Sequence, residues 1–435
     1  MNRKVDVIGG GLAGTEAALY LAKRGVKVVL HDIKPKAKTP AHHSEKYAEL
    51  VCSNSLKSND YEGNACGLLK EELRALGSSV IAAADKCRVP AGNALAVDRE
   101  RFSELLTEEI KNEKNIETVC GEVTSLRFDD VVIAATGPLT TPALEREIQK
   151  LTGEHLFFFD AASPIVSAES IDMEHAFYGD RYNKGNGDHI NCPMDKETYE
   201  AFVNALLTAE KAEQKSFENT AVFEGCMPVE VMAARGMDTL RFGTLKPVGL
   251  YDPRTNKRGY ACLQLRREDE EGTMFNLVGF QTNLKWGEQK RVFSMIPALK
   301  NAEYLRYGVM HRNTFIDSPK VLGRDFALKS DKKLFFAGQL TGVEGYVESV
   351  ASGMIAAINA LCLFAGKESA DFTRSTVMGA LSHYIATAED FQPMNANYGI
   401  LAPLDGIYRD KTLKRKEYAR RSLEIIGNIK KEYQL

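Results

Sequence analysis

The chain has 435 residues, 44% of them hydrophobic and 26% charged, with a formal net charge of −3. That length exceeds one ordinary core and leaves room for two domains. The near balance of 56 basic and 59 acidic side chains excludes a global pull toward nucleic acid or membrane, so any nucleic-acid contact must come from a local patch.

Val5 to Ile8 reads as a short strand, Gly9 to Gly14 as a turn, and Thr15 to Arg24 as a helix with Ala17, Ala18, Leu21 and Ala22 on one face. Val26 to His31 is a second strand that ends at Asp32. The run from Val5 to Ala22 carries Asp6, Glu16 and several glycines, which excludes one lipid-spanning helix. No secretory signal is visible, and a cytoplasmic protein without a membrane partner is expected. Pro35 to Asn64 is polar and irregular, longer than an ordinary connection, and loops of that kind are commonly functional. Val131 to Ala135 is a buried strand stopped by Thr136-Gly137-Pro138. From about 155 to 305 aromatic and charged residues interleave, and Tyr260–Leu265 and Met274–Phe280 read as antiparallel strands. Lys333 to Ala337 is again a buried strand, followed by the turn Gly338–Gly342 and a helix from Tyr346 to Leu363. Arg409 to Glu432 holds nine basic and four acidic residues. The expected architecture is α/β, a Rossmann-type doubly wound domain over residues 1–155 and 306–435, with an inserted mixed α+β domain over 156–305 and a basic C-terminal helix.

Gly9-Gly10-Gly11-Leu12-Ala13-Gly14 fits the G-x-G-x-x-G pattern. Its first glycine allows the tight turn, its second admits a pyrophosphate, and its third lets helix and strand pack closely. The helix then presents free N–H groups and its positive end to the phosphates. Asp32 stands where a carboxylate accepts the ribose hydroxyls. The turns at Thr136-Gly137 and Gly338-Gln339 select FAD among dinucleotides, because flavoproteins close the fold with such turns and aim a late helix at the ring.

None of the eight cysteines forms a C-x-x-C pair, so no metal site is expected. Cys52, in VCSNS, lies in the long polar loop. Cys226, in FEGCMP, lies in a turn that would present its side chain. The other six are expected to be reduced packing residues.

Several long stretches carry a resemblance well beyond a shared glycine turn. They include GGGLAGTEAALYLAKRG, TPAHHSEKYAELVCSNSLKSN, VPAGNALAVDR, FEGCMPVEVMAARG, LVGFQTNLKWGEQKRVF, LFFAGQLTGVEGYVESVASG and FQPMNANYGI. Through nearly its whole length the sequence resembles the folate- and FAD-dependent tRNA (uracil-5-)-methyltransferases, the TrmFO family. The resemblance implies that a one-carbon unit passes from 5,10-methylenetetrahydrofolate to C5 of the T-loop uridine of tRNA. It implies reduction to a methyl group by FADH2, with NADH or NADPH restoring the flavin. Relatives in style are the MnmG-type flavoproteins of the tRNA wobble uridine, which are longer and have different cysteine contexts. The same chemistry on ribosomal RNA stays open.

Uracil C5 is a poor nucleophile until a thiolate adds to C6. The resemblance matches Cys226 to that nucleophile and Cys52 to the second active cysteine, which either removes the C5 proton or shields the one-carbon unit. Trp286, the sole tryptophan, is a candidate for stacking on a base or pterin, or else a core or interface residue. Tyr346 is a candidate for stacking on folate, or else packs. Glu224, His42, His43 and His311 carry weaker expectations. For tRNA the candidate contacts are Lys411, Lys414, Arg415, Lys416, Arg420 and Arg421, with Arg254, Lys257 and Arg258 as alternatives.

Overall fold

The computed structural model describes residues 3–39, 41–153, 155–161, 163–183, 186–212 and 227–435. The first sheet contains β1 (Lys4–Ile8), β2 (Lys27–Asp32), β6 (Ile116–Cys120), β7 (Val131–Ala134), β16 (Ala327–Leu328) and β17 (Asp331–Phe336). Its order is β16-β17-β7-β1-β2-β6. All neighbours are parallel except the edge pair β16–β17. The chain winds from β1 to β2 on one side and reaches β7 on the other, so a crevice opens at the carboxyl ends of β1 and β7. Val5, Val7, Ile133 and Ala134 are buried, as expected of parallel strands covered on both faces.

α1 (Leu12–Ala22) follows β1 and crosses α11 (Tyr346–Phe364), which follows the β17 turn. The crossing is close because small residues meet there: a Cβ on Gly353 would lie 2.2 Å from the Ala13 carbonyl oxygen. α11 is long and apolar enough to cross a bilayer by composition, yet it is mostly buried. It packs on α1, α2 (Ala65–Leu76) and α12 (Val377–Thr387), as the core helix of the first domain. α3 (Ser79–Lys86), α4 (Arg99–Asn112) and α5 (Pro142–Thr152) add Val80, Phe102 and Ile148 to the same core.

The segment read as irregular is partly ordered. Ser55–Ser58 forms β3, which pairs antiparallel with β5 (Ala94–Val97), itself paired with β4 (Arg88–Val89). The partner strand is remote in sequence, which is why the local pattern does not reveal it.

β8 (His155–Ala161) and β15 (Met310–Ile316) pair antiparallel and carry the chain to and from a second sheet. That sheet holds β9 (Ile165–Ser167), β10 (Phe177–Tyr178), β11 (Ile190–Met194), β12 (Ala261–Arg267), β13 (Met274–Leu277) and β14 (Tyr304–Arg306). It is antiparallel throughout, in the order β10-β11-β12-β13-β9-β14. β13 stops at Leu277 rather than Phe280 because the chain turns at Gly279, φ +75°. α6 (Lys196–Thr208), α7 (Val229–Ala234), α8 (Thr239–Phe242) and α9 (Trp286–Phe293) share a second core with this sheet, built on Phe202, Phe275, Phe280 and Phe293. α10 (Ser318–Val321) packs on α12, and α13 (Lys411–Tyr433) lies along α2.

Glu72 of α2 ties three helices together. It accepts hydrogen bonds from Val377 N (2.7 Å) and Met378 N (2.8 Å) at the start of α12, and from Ser422 Oγ of α13 (2.5 Å). Burial outweighs these donors and pushes its carboxyl up to about 7. The folded state therefore holds a proton that the unfolded chain releases near pH 4.5. The associated stability is complete below the unfolded value and is lost as pH rises through about 7. Urea denaturation of Glu72→Gln against wild type should show the wild-type advantage shrinking across that window, by on the order of 3 kcal/mol. Parallel stability curves would contradict this.

Candidate active site

The β1–α1 turn has the close contacts that only glycine permits at two positions. Gly9 has φ +102°, and a Cβ on Gly14 would lie 1.9 Å from the Gly9 carbonyl oxygen. Gly11 differs: a Cβ there meets nothing within 4 Å. Gly11 caps α1 with no side-chain hydrogen bond and, with Gly9 and Gly10, lines a cleft of about 610 Å³. Leu12 and Ala13, buried, begin the helix behind it. Asp32, at the end of β2, accepts Gly10 N (2.6 Å) and Lys34 N (2.8 Å) and lines the same cleft with Thr136. Thr136 Oγ1 lies 2.6 Å from Thr140 Oγ1, and Gly137 turns the chain at φ +70°. An open backbone cradle, free helix N–H groups and a carboxylate at the second strand end suit the adenosine diphosphate part of FAD. His42 also lines this cleft, and burial lowers its imidazole below the usual value.

A second cleft of about 1290 Å³ begins where the first ends, with Leu139 lining both. Gln339 lines it, in the turn after β17. Gly338 makes that turn at φ +78° and donates its N–H to Ser352 Oγ (2.7 Å), and a Cβ there would lie 3.4 Å from Ala13 Cβ. Gln339 Nε2 donates to Glu344 Oε1 (2.8 Å). Sharing Leu139, the two clefts together run from the first glycine turn to the start of α11.

Cys52 lines the second cleft, on a loop that is held residue by residue. Arg99 donates to Leu50 O (3.1 Å), and Arg306 donates to Val51 O. The Tyr346 hydroxyl accepts Cys52 N (2.7 Å) and Ser53 N (3.1 Å). Arg266 donates to Ser53 Oγ (2.6 Å) and Asn54 Oδ1 (3.0 Å). Asn54 Nδ2 donates to Val97 O (3.1 Å) and Arg267 O (2.8 Å). Arg99 is also paired with buried Glu268 at 2.6 Å. Burial lowers Arg266 and Arg306, and burial raises the Tyr346 hydroxyl. Helices α4 and α11, strand β5 and strands β12 and β14 of the second sheet thus all hold one short loop. Across the cleft, Lys57 sits at φ +63° and pairs with buried Glu348 of α11 (3.4 Å), which also accepts Ala396 N (3.0 Å). A non-glycine residue in that conformation costs on the order of 1 kcal/mol and persists where surrounding contacts fix it.

Tyr346 therefore anchors the Cys52 backbone through its hydroxyl. Trp286 does not line either cleft; its side chain is 62% exposed, which removes the core reading. Cys226 and Glu224 lie outside the described residues. Val229, three residues after Cys226, donates its N–H to Gln281 O (2.7 Å), and Gln281 lines the Cys52 cleft. Cys66, Cys87, Cys192, Cys262 and Cys362 are buried, and burial raises their thiols. Cys120, expected to be buried, is half-buried at the end of β6. His43 lies outside both clefts, and nothing is described of the His311 side chain. On α13, Arg420 pairs with Glu417 and Glu424, Arg421 donates to Ala402 O and Pro403 O, and Lys416 pairs with Glu62. Lys411, Lys414 and Arg415 remain exposed. Lys257 and Arg258 are exposed, and Arg254 is paired with Asp252.

Sequence reasoning missed Arg99, Arg266 and Arg306 as holders of the cysteine loop. Arg99 ends the stretch VPAGNALAVDR, but nothing local ties an arginine to a loop some fifty residues away.

Comparison with known proteins gives the same class. The family model described as Glucose inhibited division protein A matches residues 4–368. The chain is 56% identical over 432 residues to the methylenetetrahydrofolate--tRNA-(uracil-5-)-methyltransferase TrmFO of Acetivibrio thermocellus, covering 99% of each. It is 54% identical to the protein of that name from Listeria monocytogenes, covering 99% of this chain and all of the relative. Aquifex aeolicus GidA shares the fold at TM-score 0.72 and 16% identity, over all of this chain and 78% of that one. The chain belongs to the TrmFO family, within the wider group of GidA-like flavoproteins.

Proposed function

We propose that this protein transfers a one-carbon unit from 5,10-methylenetetrahydrofolate to C5 of the T-loop uridine of tRNA and yields 5-methyluridine. The observation that carries the reading is a cysteine loop fixed at five successive residues, in a cleft continuous with a dinucleotide cradle, in a chain of this family. In this reading residues 1–155 and 306–435 hold FAD, and residues 156–305 hold the inserted domain. Gly9, Gly10, Gly11, Gly14, Asp32, Thr136, Gly137, Gly338 and Gln339 bind the cofactor. Bound FAD, reduced by NADH or NADPH, supplies the hydride that turns methylene into methyl.

The protein's own residues do the rest. The Cys226 thiolate adds to uracil C6, which makes C5 nucleophilic toward the methylene carbon. Cys52 takes the C5 proton as the folate nitrogen leaves the one-carbon unit, and, once the methylene carbon has received the hydride, loss of the Cys226 thiolate from C6 restores the ring. Tyr346, Arg99, Arg266 and Arg306 hold Cys52 against the cleft. Lys411, Lys414 and Arg415 meet RNA phosphates.

The test is a mixture of holoprotein, unmodified tRNA transcript, methylenetetrahydrofolate and NADPH or NADH, with nucleoside analysis of the T loop. 5-Methyluridine should accumulate with turnover. Product in ribosomal RNA alone would change the substrate, and product in neither would overturn the reading.

A further inference from the structure

Trp286 is the one tryptophan of the chain, and it opens α9 with its side chain 62% exposed. Its ring stacks on Tyr307 with centroids 5.5 Å apart and planes 11° apart. Tyr307 in turn stacks on Tyr304 at 5.2 Å and 8°. The three rings form a near-parallel column that runs from the partly buried Tyr304 to the exposed indole.

The column is held by a dedicated buried contact. Gln289, fully buried on α9, donates to Leu284 O (2.7 Å) and Gly308 O (2.8 Å) and accepts Gly308 N (2.8 Å). That two-way amide pairing locks the helix carrying Trp286 to the segment carrying Tyr307. The indole is therefore presented at a fixed angle, with its ordering cost already met in the free protein.

The column also adjoins the candidate active site. Tyr307 follows Arg306, whose guanidinium holds Val51, the neighbour of Cys52. Gln281, five residues before Trp286, lines the Cys52 cleft. Two cations beside the indole are paired, Lys285 with Glu210 (2.7 Å) and Arg291 with Glu288 (2.6 Å), while Lys290 of the same helix is exposed. At the indole itself the surface offers a flat π-face.

We propose that the Trp286–Tyr307–Tyr304 column is a stacking platform for an unpaired nucleobase of the RNA substrate, a neighbour of the target uridine. The proposal rests on the RNA-methylating function given above. Chemistry at C5 within a cleft requires the target base to leave its stack, which bares the face of an adjacent base. An exposed indole that already ends an aromatic column extends that broken stack, and does so for any base, because every base has a π-face.

The single tryptophan makes the test direct. Wild-type holoprotein is titrated with a T-arm hairpin and with full tRNA transcript, following indole emission and, independently, RNA anisotropy. Emission should be quenched in step with binding. Stacking of one base contributes about 1–3 kcal/mol, so Trp286→Ala should raise the RNA Kd about 5- to 150-fold. Trp286→Phe should recover most of the affinity. The loss should be nearly the same at low and high salt, which separates stacking from phosphate contact. Binding that saturates with no change in indole emission, or an unchanged Kd in Trp286→Ala, would overturn the proposal. A variant that binds RNA normally but changes oligomeric state would assign the surface to a second copy of the chain and overturn it too. Absence of 5-methyluridine from the wild type while indole quenching persists would instead count against the methyl-transfer reading alone.

Discussion

Gly11→Ala should leave the protein folded and strip it of FAD. A methyl group at Gly11 meets no protein atom within 4 Å, so the fold has no reason to resist it. It would instead stand in the open side of the cradle, where the pyrophosphate must approach the helix N–H groups. The expected result is a colourless or nearly colourless preparation, with FAD affinity lower by at least about tenfold, and with far-ultraviolet dichroism and the thermal midpoint of the apoprotein close to wild type. Gly14→Ala should behave differently, because its methyl group would fall 1.9 Å from the Gly9 carbonyl oxygen. That collision is with backbone and forces β1 and α1 apart, so this variant should lose stability by about 2–4 kcal/mol whether or not FAD is added. Equal FAD affinity in Gly11→Ala and wild type would move the cofactor away from this turn.

The second large effect concerns the cysteines. Cys226→Ala should abolish 5-methyluridine formation while FAD stays bound, because the cysteine proposed as the uracil nucleophile and the proposed dinucleotide cradle are separate parts of the chain. Cys52→Ala should also lower turnover severely, by about a thousandfold or more, with RNA binding retained. Tyr346→Phe offers an internal control. It removes the acceptor of the Cys52 and Ser53 N–H groups and leaves the thiol in place. Two unpaired N–H groups cost about 1–3 kcal/mol each, so the loop should loosen and turnover should fall about 10- to 100-fold with little change in RNA KM. Wild-type rates in Cys226→Ala would remove the covalent mechanism, and wild-type rates in Cys52→Ala would remove its role as the base.

The doubly wound fold was legible because its signals are local. A short apolar strand, a glycine turn and an amphipathic helix announce the first unit, and the turn at Gly338 announces the last. The hairpin formed by β12 and β13 showed through strand periodicity. What stayed hidden depends on partners far away in sequence. Ser55–Ser58 becomes a strand only because Ala94–Val97 lies beside it. Glu16 and Glu72 are both fully buried as acceptors for the starts of other helices, and those partners lie some sixty and three hundred residues away. The cysteine contexts single out Cys52, but the arginines that hold its loop come from α4, β12 and β14. No spacing rule connects them. Trp286 illustrates the opposite limit: residue type suggested stacking, and only the packing of Tyr307 and Gln289 gave it a direction.

The origin of the methyl carbon tests the central claim most directly. An S-adenosylmethionine enzyme delivers a finished methyl group and consumes no reductant. A methylene donor delivers carbon one oxidation level higher, and a hydride must follow. Holoprotein and unmodified tRNA are incubated with carbon-labelled methylenetetrahydrofolate, with and without NADPH or NADH, and in parallel with labelled S-adenosylmethionine. The account predicts label in T-loop 5-methyluridine from the folate alone, and only when reductant or pre-reduced flavin is supplied. Label arriving from S-adenosylmethionine, or from folate with no source of reducing equivalents, would contradict it.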